Sequence, residues 1–105
     1  MALYVDVFIP QPLTAGYEPT PNPCVLTLAA NGIRFRNFSR SAVTINLAGV
    51  PGFDRIGTLE VPANESRIAS VDPSAVRAGV YDYQVASSGK ALASTNASPR
   101  VILDV

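Results

Sequence analysis

The feature that most constrains this chain is a period-two alternation of apolar and polar residues, which recurs in short runs broken by Pro, Gly, Asn or Ser. Successive side chains of a strand point to opposite faces, so each run offers one apolar face to a core. A helix would need apolar residues three and four apart, and no stretch keeps that spacing for three turns. The expectation is an all-β chain.

The runs can be placed one by one. Ala2 to Ile9 sets Leu3, Val5, Val7 and Ile9 on one face and Tyr4, Asp6 and Phe8 on the other. Pro10 to Pro23 carries five prolines and one glycine, which predicts a long loop or an extended crossover. Cys24 to Leu28 and Ile33 to Phe38 flank Ala-Ala-Asn31-Gly32, and an Asn-Gly pair supplies the positive φ angles of a tight turn, so these two runs are expected to form a hairpin. Ile33 and Phe35 then face inward with Arg34 and Arg36 in water. Val43, Ile45 and Leu47 form the next inward set, ending at Gly49 to Gly52.

Arg55 to Val61 and Arg67 to Val71 are expected on either side of a turn at Pro62 to Glu65. Asp72-Pro73 followed by Gly79 has the form of an N-cap, a first-position proline and a closing glycine, which predicts one short helical turn near 73–78. Val80 to Ala86 and Arg100 to Val105 finish the set, with Tyr81, Tyr83 and Val85 opposing Val101, Leu103 and Val105. About eight strands with no internal repeat, in 105 residues, point to a single domain over 1–105 built as a Greek-key β-sandwich, with a small closed barrel as the alternative.

From Ile33 onward the chain resembles a cupredoxin-like domain. The phrases that carry the resemblance are Ile-Arg-Phe-Arg-Asn-Phe-Ser, Val-Thr-Ile-Asn-Leu, Val-Pro-Ala-Asn-Glu-Ser and Ala-Gly-Val-Tyr-Asp-Tyr-Gln-Val, followed by a final strand. The resemblance implies the sandwich fold without the copper. Cupredoxins hold copper with a Cys, two His and usually a Met; this chain has no His, its one Cys lies far upstream of the expected position, and its one Met is Met1. The Gly79-Val80-Tyr81 stretch also resembles the tyrosine corner of immunoglobulin-like sandwiches, whose paired cysteines and core tryptophan are missing. Cupredoxin-like and immunoglobulin-like courses of the chain both remain open at this point.

Charge narrows the function. Eight basic and eight acidic residues cancel, which removes the long-range field on which nucleic-acid and anionic-membrane binders depend. Neither nucleic acid nor a membrane is therefore expected as a partner, and no uncharged stretch is long and proline-free enough to cross a bilayer as a helix. Residues 1–9 hold no basic segment of a secretory signal. The lone Cys24, on the inward face of its run, reads as a buried structural thiol. A cytoplasmic location is expected, with a secreted or periplasmic one after signal removal as the alternative.

Catalysis lacks its usual parts. Without His there is no common general base for Ser or Cys nucleophiles, and the carboxylates fall singly in turns or on strand faces; Asp82 and Asp104, on outward positions of neighbouring strands, come nearest to a pair. No enzyme activity and no cofactor are expected. An oxygen-ligand metal site would need acids to converge from separate turns.

Two surface groups stand out. Tyr4, Phe8, Tyr17 and Phe38 are candidate interface residues, because aromatics on the outward face of the first run and in the Pro-rich loop need cover from that loop or from another chain. Arg34, Arg36 and Arg40 form the one local basic cluster and are a candidate anion contact. The expected function is a non-catalytic binding or structural module with a protein partner or self-association. The alternative is a small-ligand or carbohydrate-binding accessory domain using loop 10–23 and Tyr17. Three Asn-x-Ser triplets, at Asn37, Asn64 and Asn96, read as turn chemistry.

Overall fold

The computed structural model describes residues 3–11, 19–27, 30–87 and 99–104. These hold nine strands: β1 (Tyr4–Ile9), β2 (Cys24–Thr27), β3 (Gly32–Asn37), β4 (Val43–Asn46), β5 (Thr58–Val61), β6 (Ser66–Ser70), β7 (Gly79–Asp82), β8 (Gln84–Ser87) and β9 (Arg100–Asp104). They form three small sheets, ordered β1-β3-β6, β2-β9-β7 and β5-β4-β8. The fold is all-β as the alternation requires, it is not a barrel, and the described residues contain no helix.

Two of the pairings are parallel, β1 with β3 and β2 with β9. The others are antiparallel. The inward residues of all three sheets meet in one buried cluster. Val7, Ile9, Ile33, Phe35 and Ala69 come from the first sheet, Cys24, Leu26, Val101 and Leu103 from the second, and Val43, Ile45, Val61 and Val85 from the third. Leu47, Val50 and Phe53 of the 47–57 segment close one side of it. Leu3, expected inward, is exposed, and Val5 is only partly buried against the cluster. The alternation of β1 reaches full burial only from Val7 onward.

The expected hairpin at Asn31-Gly32 is corrected. β2 and β3 lie in different sheets, and neither residue has a positive φ. Asn31 serves instead as a clasp: its Oδ1 accepts the Leu3 N–H at 2.9 Å, its own N–H donates to the Leu3 carbonyl at 2.6 Å, and its carbonyl accepts the Val71 N–H at 2.9 Å. Gly32 is needed for a different reason, since a Cβ there would collide with the Ala69 carbonyl oxygen on β6. The dipeptide is spent on bringing β3 against its two neighbours.

The helical turn near 73–78 is also corrected. Asp72 Oδ1 accepts the Ser74 N–H at 3.1 Å and hydroxyl at 2.7 Å, and the Ala75 N–H reaches the Asp72 carbonyl at 3.1 Å, so the capping chemistry is present. The turn nevertheless stops at Ala75. Val76 packs on the core cluster, and the chain runs on to β7 without entering a helix.

Eight expected strands become nine because Val80 to Ala86 is divided at Tyr83. There the backbone leaves the β7–β9 ladder and enters the β8–β4 ladder, while the Tyr83 N–H donates to the Pro99 carbonyl at 3.0 Å. Arg55 to Val61 is shortened as well: residues 51–56 are turns, Gly57 has a φ of 65°, and only Thr58–Val61 is a strand. The Pro62 to Glu65 turn is present, with Asn64 at a φ of 60° and the Glu65 N–H on the Pro62 carbonyl at 3.2 Å. It joins strands of two different sheets.

Two substitutions test this packing. Tyr83 is 2% exposed, its ring meets Phe35 edge-on at 5.9 Å, and its hydroxyl has no hydrogen-bond partner among the described residues. Tyr83→Phe keeps the ring contact and removes the orphaned hydroxyl, so thermal unfolding should show a gain of about 1 kcal/mol, several degrees in Tm for a domain of this size. Gly32→Ala should do the reverse, costing about 3 kcal/mol in urea unfolding as β3 is forced off β6.

Candidate functional site

The outward face of the β1-β3-β6 sheet gathers most of the residues singled out by sequence. Parallel register sets Asp6 beside Arg34 and Phe8 beside Arg36, and antiparallel register continues these rows to Ile68 and Ser66 on β6. Asp6 is therefore held between two arginines. Arg34 Nε donates to its Oδ1 at 2.6 Å and Arg34 Nη2 to its Oδ2 at 3.1 Å, while Arg36 Nε donates to Oδ1 at 3.0 Å.

The Arg34 guanidinium, donating two hydrogen bonds, does most to hold the Asp6 carboxyl down at about 2; partial burial opposes it and Arg36 adds to it. Two of the three arginines of the basic cluster thus bind the chain's own carboxylate. Arg40 stands apart from that group, on an exposed turn where its backbone N–H donates to Gln11 Oε1 at 2.7 Å.

Phe8 and Phe38 come together as one aromatic pair, their centroids 5.8 Å apart and their planes at 13°. Phe8 is 40% exposed and Phe38 56%. The Arg36 guanidinium carbon lies 6.0 Å from the Phe8 centroid, so the same side chain binds Asp6 and leans on the aromatic pair. Tyr4 is half-buried on this face, four residues from Phe8 along β1. Tyr17 lies outside the described residues. The returning end of the Pro-rich loop reaches β1 through Thr20, whose N–H and carbonyl pair with those of Phe8 at 2.8 and 2.7 Å. Phe8 remains exposed despite that pairing.

A buried polar group anchors the far end of this face. Asn37 and Ser39 are each 1% exposed. Asn37 Nδ2 donates to the Ser41 and Val61 carbonyls at 2.8 and 3.0 Å, and its Oδ1 accepts the Ser39 N–H at 2.9 Å and hydroxyl at 2.6 Å. Every polar atom of the amide is matched, which is the condition for burying it. The network ties the end of β3 to β5 and fixes the turn that carries Phe38. An Asn so enclosed cannot accept a glycan in the folded chain, whereas Asn64 is an exposed turn residue.

The other candidates resolve into structural roles. The Tyr81 hydroxyl donates back toward the Arg77 and Ala78 carbonyls, at 3.2 and 3.3 Å, as a tyrosine corner does. Asp82 pairs with Arg100 at 3.2 Å, and the register places Asp104 four residues further along β9, so no carboxylate pair forms. Cys24 is buried, and burial pushes its thiol up to about 11, the opposite of what a thiolate ligand or nucleophile needs. With no histidine in the sequence, the donor set does not fit a cupredoxin-type copper centre. Among the described residues no three His, Cys, Asp or Glu side chains group as metal ligands, and no helix is long and apolar enough to cross a membrane. An open cleft of about 390 Å³ lies between 48–54 and 74–77, and of its side chains Asp54 and Arg77 are exposed and Ser74 is committed to Asp72.

Asp6 was the residue that sequence reading missed as the organiser of this face. Its signal was its place between Tyr4 and Phe8 on the outward side of β1, but the partnership with Arg34 and Arg36 depends on a parallel register that no local motif encodes.

The pH dependence of folding reports this group. Because the folded carboxyl titrates at about 2, below its unfolded value near 4, its contribution is complete above about pH 4 and is lost as pH falls through about 2. Asp6→Asn should be less stable than the parent at pH 7, and the difference between their urea-unfolding curves should shrink to near zero at pH 2. A difference that does not vary with pH would assign Asp6 no such role. Comparison of the chain with protein-family models, curated protein sequences and solved structures returned no match.

Proposed function

We propose that this chain is a non-catalytic protein-binding module whose contact surface is the outward face of β1-β3-β6 around Phe8, Arg36 and Phe38. The observation that carries the reading is the exposed aromatic pair with an arginine leaning on it. Aromatic and Arg side chains dominate the energetics of protein interfaces, and a pair already held by strands gives up little conformational entropy on binding. Asp6 offsets only part of the charge of Arg34 and Arg36, so the face favours a partner segment with an apolar side chain beside a carboxylate.

The absence of catalysis in this reading is supported by the lack of histidine and by the engagement of Asp6, Asp72 and Asp82 with partners of their own fold. A Greek-key sandwich is the architecture proposed with it. Parallel pairs require crossover connections, and the direct passage from β7 to β8 at Tyr83 would set β2-β9-β7 and β5-β4-β8 side by side as one layer against β1-β3-β6. A copper-free, cupredoxin-like course of the chain belongs to the same proposal.

The test is selection from a random peptide-display library against the folded domain, followed by calorimetric titration of the enriched peptides. Enrichment of sequences with an aromatic or aliphatic residue next to Asp or Glu is expected, with affinity falling at least tenfold in Phe38→Ala, about 1.4 kcal/mol. Binders that keep their affinity in Phe38→Ala, or a selection that enriches nothing, would overturn the reading.

A further inference from the structure

The β2-β9-β7 sheet has an outward face that sequence reading did not single out. Its register brings Val25, Ile102 and Val80 into one row across the three strands. Val25 is 45% and Val80 58% exposed, with Ile102 half-buried between them. A continuous row of three β-branched side chains in water differs from apolar residues scattered singly, because one apolar surface can cover all of it at once.

The charges around this row choose the cover. Two residues before Ile102 on the same face of β9 is Arg100, and two residues after it is Asp104, both exposed. The two lie about 13 Å apart along the strand, equally spaced about Ile102. A second copy stacked face to face by a two-fold axis through Ile102, perpendicular to the strands, runs its β9 antiparallel to the first. Val25, Ile102 and Val80 then meet their own counterparts, and each Arg100 meets the other copy's Asp104. The opposite choice, with the axis along the strands, would set Arg100 on Arg100 and Asp104 on Asp104. Among the described residues the Arg100 guanidinium makes an exposed ion pair to Asp82 at 3.2 Å, a contact weak enough to leave its charge available to a second carboxylate.

We propose that this face is a self-association surface, on which a second copy of this chain docks with antiparallel β9 strands and reciprocal Arg100–Asp104 pairs. The surface is distinct from the one around Phe38 and its use does not depend on that reading. Three strands by about four residues give a footprint of roughly 14 by 13 Å. That is far below the ~800 Å² per partner of a stable interface, so the dimer is weak and forms only at high protein concentration. The arrangement is closed and isologous, and it adds no further copies through this face.

Sedimentation equilibrium from 10 μM to 1 mM tests it on the whole chain. The parent should pass from monomer to dimer in that range at low salt, and the association should weaken at 0.5 M salt. Val80→Lys should remain monomeric, and Phe38→Ala should associate like the parent. Arg100→Asp and Asp104→Arg should each lose association at least tenfold when alone, and an equimolar mixture of the two should recover it, because each supplies the charge the other lacks. All these positions are exposed, and an unchanged melting profile certifies each variant as folded. A parent that stays monomeric at 1 mM, association that survives Val80→Lys or is lost in Phe38→Ala, or a mixture that fails to recover would each overturn the proposal.

Discussion

The structure depends on where β3 is allowed to lie. It is the one strand of its sheet with two neighbours, parallel to β1 and antiparallel to β6, and it approaches β6 closely enough at Gly32 that a side chain there would meet backbone. The arrangement of the β1-β3-β6 surface follows from that position. Ile33 and Phe35 enter the core, Arg34 and Arg36 face outward beside β1, and Asn37 ends the strand inside a fully matched hydrogen-bond network that sets Phe38 next to Phe8.

Electrostatics on that face is internal before it is external. Two guanidiniums converge on one partly exposed carboxylate, so three charges of a sparsely charged chain are engaged with one another across the β1–β3 pair. What is left outward is an arginine whose other contact is an aromatic ring, a combination that pairs modest charge with large apolar area. The β2-β9-β7 face uses the same ingredients differently, with a purely aliphatic row between an Arg and an Asp on one strand. In both cases a low charge count leaves apolar surface between ionic groups, where a partner can exclude water from it.

The passage at Tyr83 shows how a short chain serves three sheets with few connections. The backbone changes ladders within one residue, and that residue is a buried tyrosine whose hydroxyl makes no hydrogen bond among the described residues. Burial beside Phe35 and near Cys24 is an apolar contribution made at the cost of one orphaned polar atom.

Strand existence and facing were legible in the sequence, because side-chain alternation is a local property with a fixed period. Val7, Ile9, Cys24, Leu26, Ile33, Phe35, Val43, Ile45, Tyr83, Val85, Val101 and Leu103 are all buried where the alternation put them. The tyrosine corner at Tyr81 and the buried thiol of Cys24 were legible for the same reason, since each rests on near neighbours. Pairing was not legible. Asn31-Gly32 has the composition of a hairpin turn, yet its hydrogen bonds go to Leu3 and Val71, because a turn motif states what the backbone can do and only the competing strands decide what it does. The candidate surfaces fall on the same divide. Phe8, Phe38, Arg34 and Arg36 could be named from sequence as outward residues, but their assembly around Asp6, and the row of Val25, Ile102 and Val80, exist only because residues far apart in the chain were brought into register by the packing of a shared core.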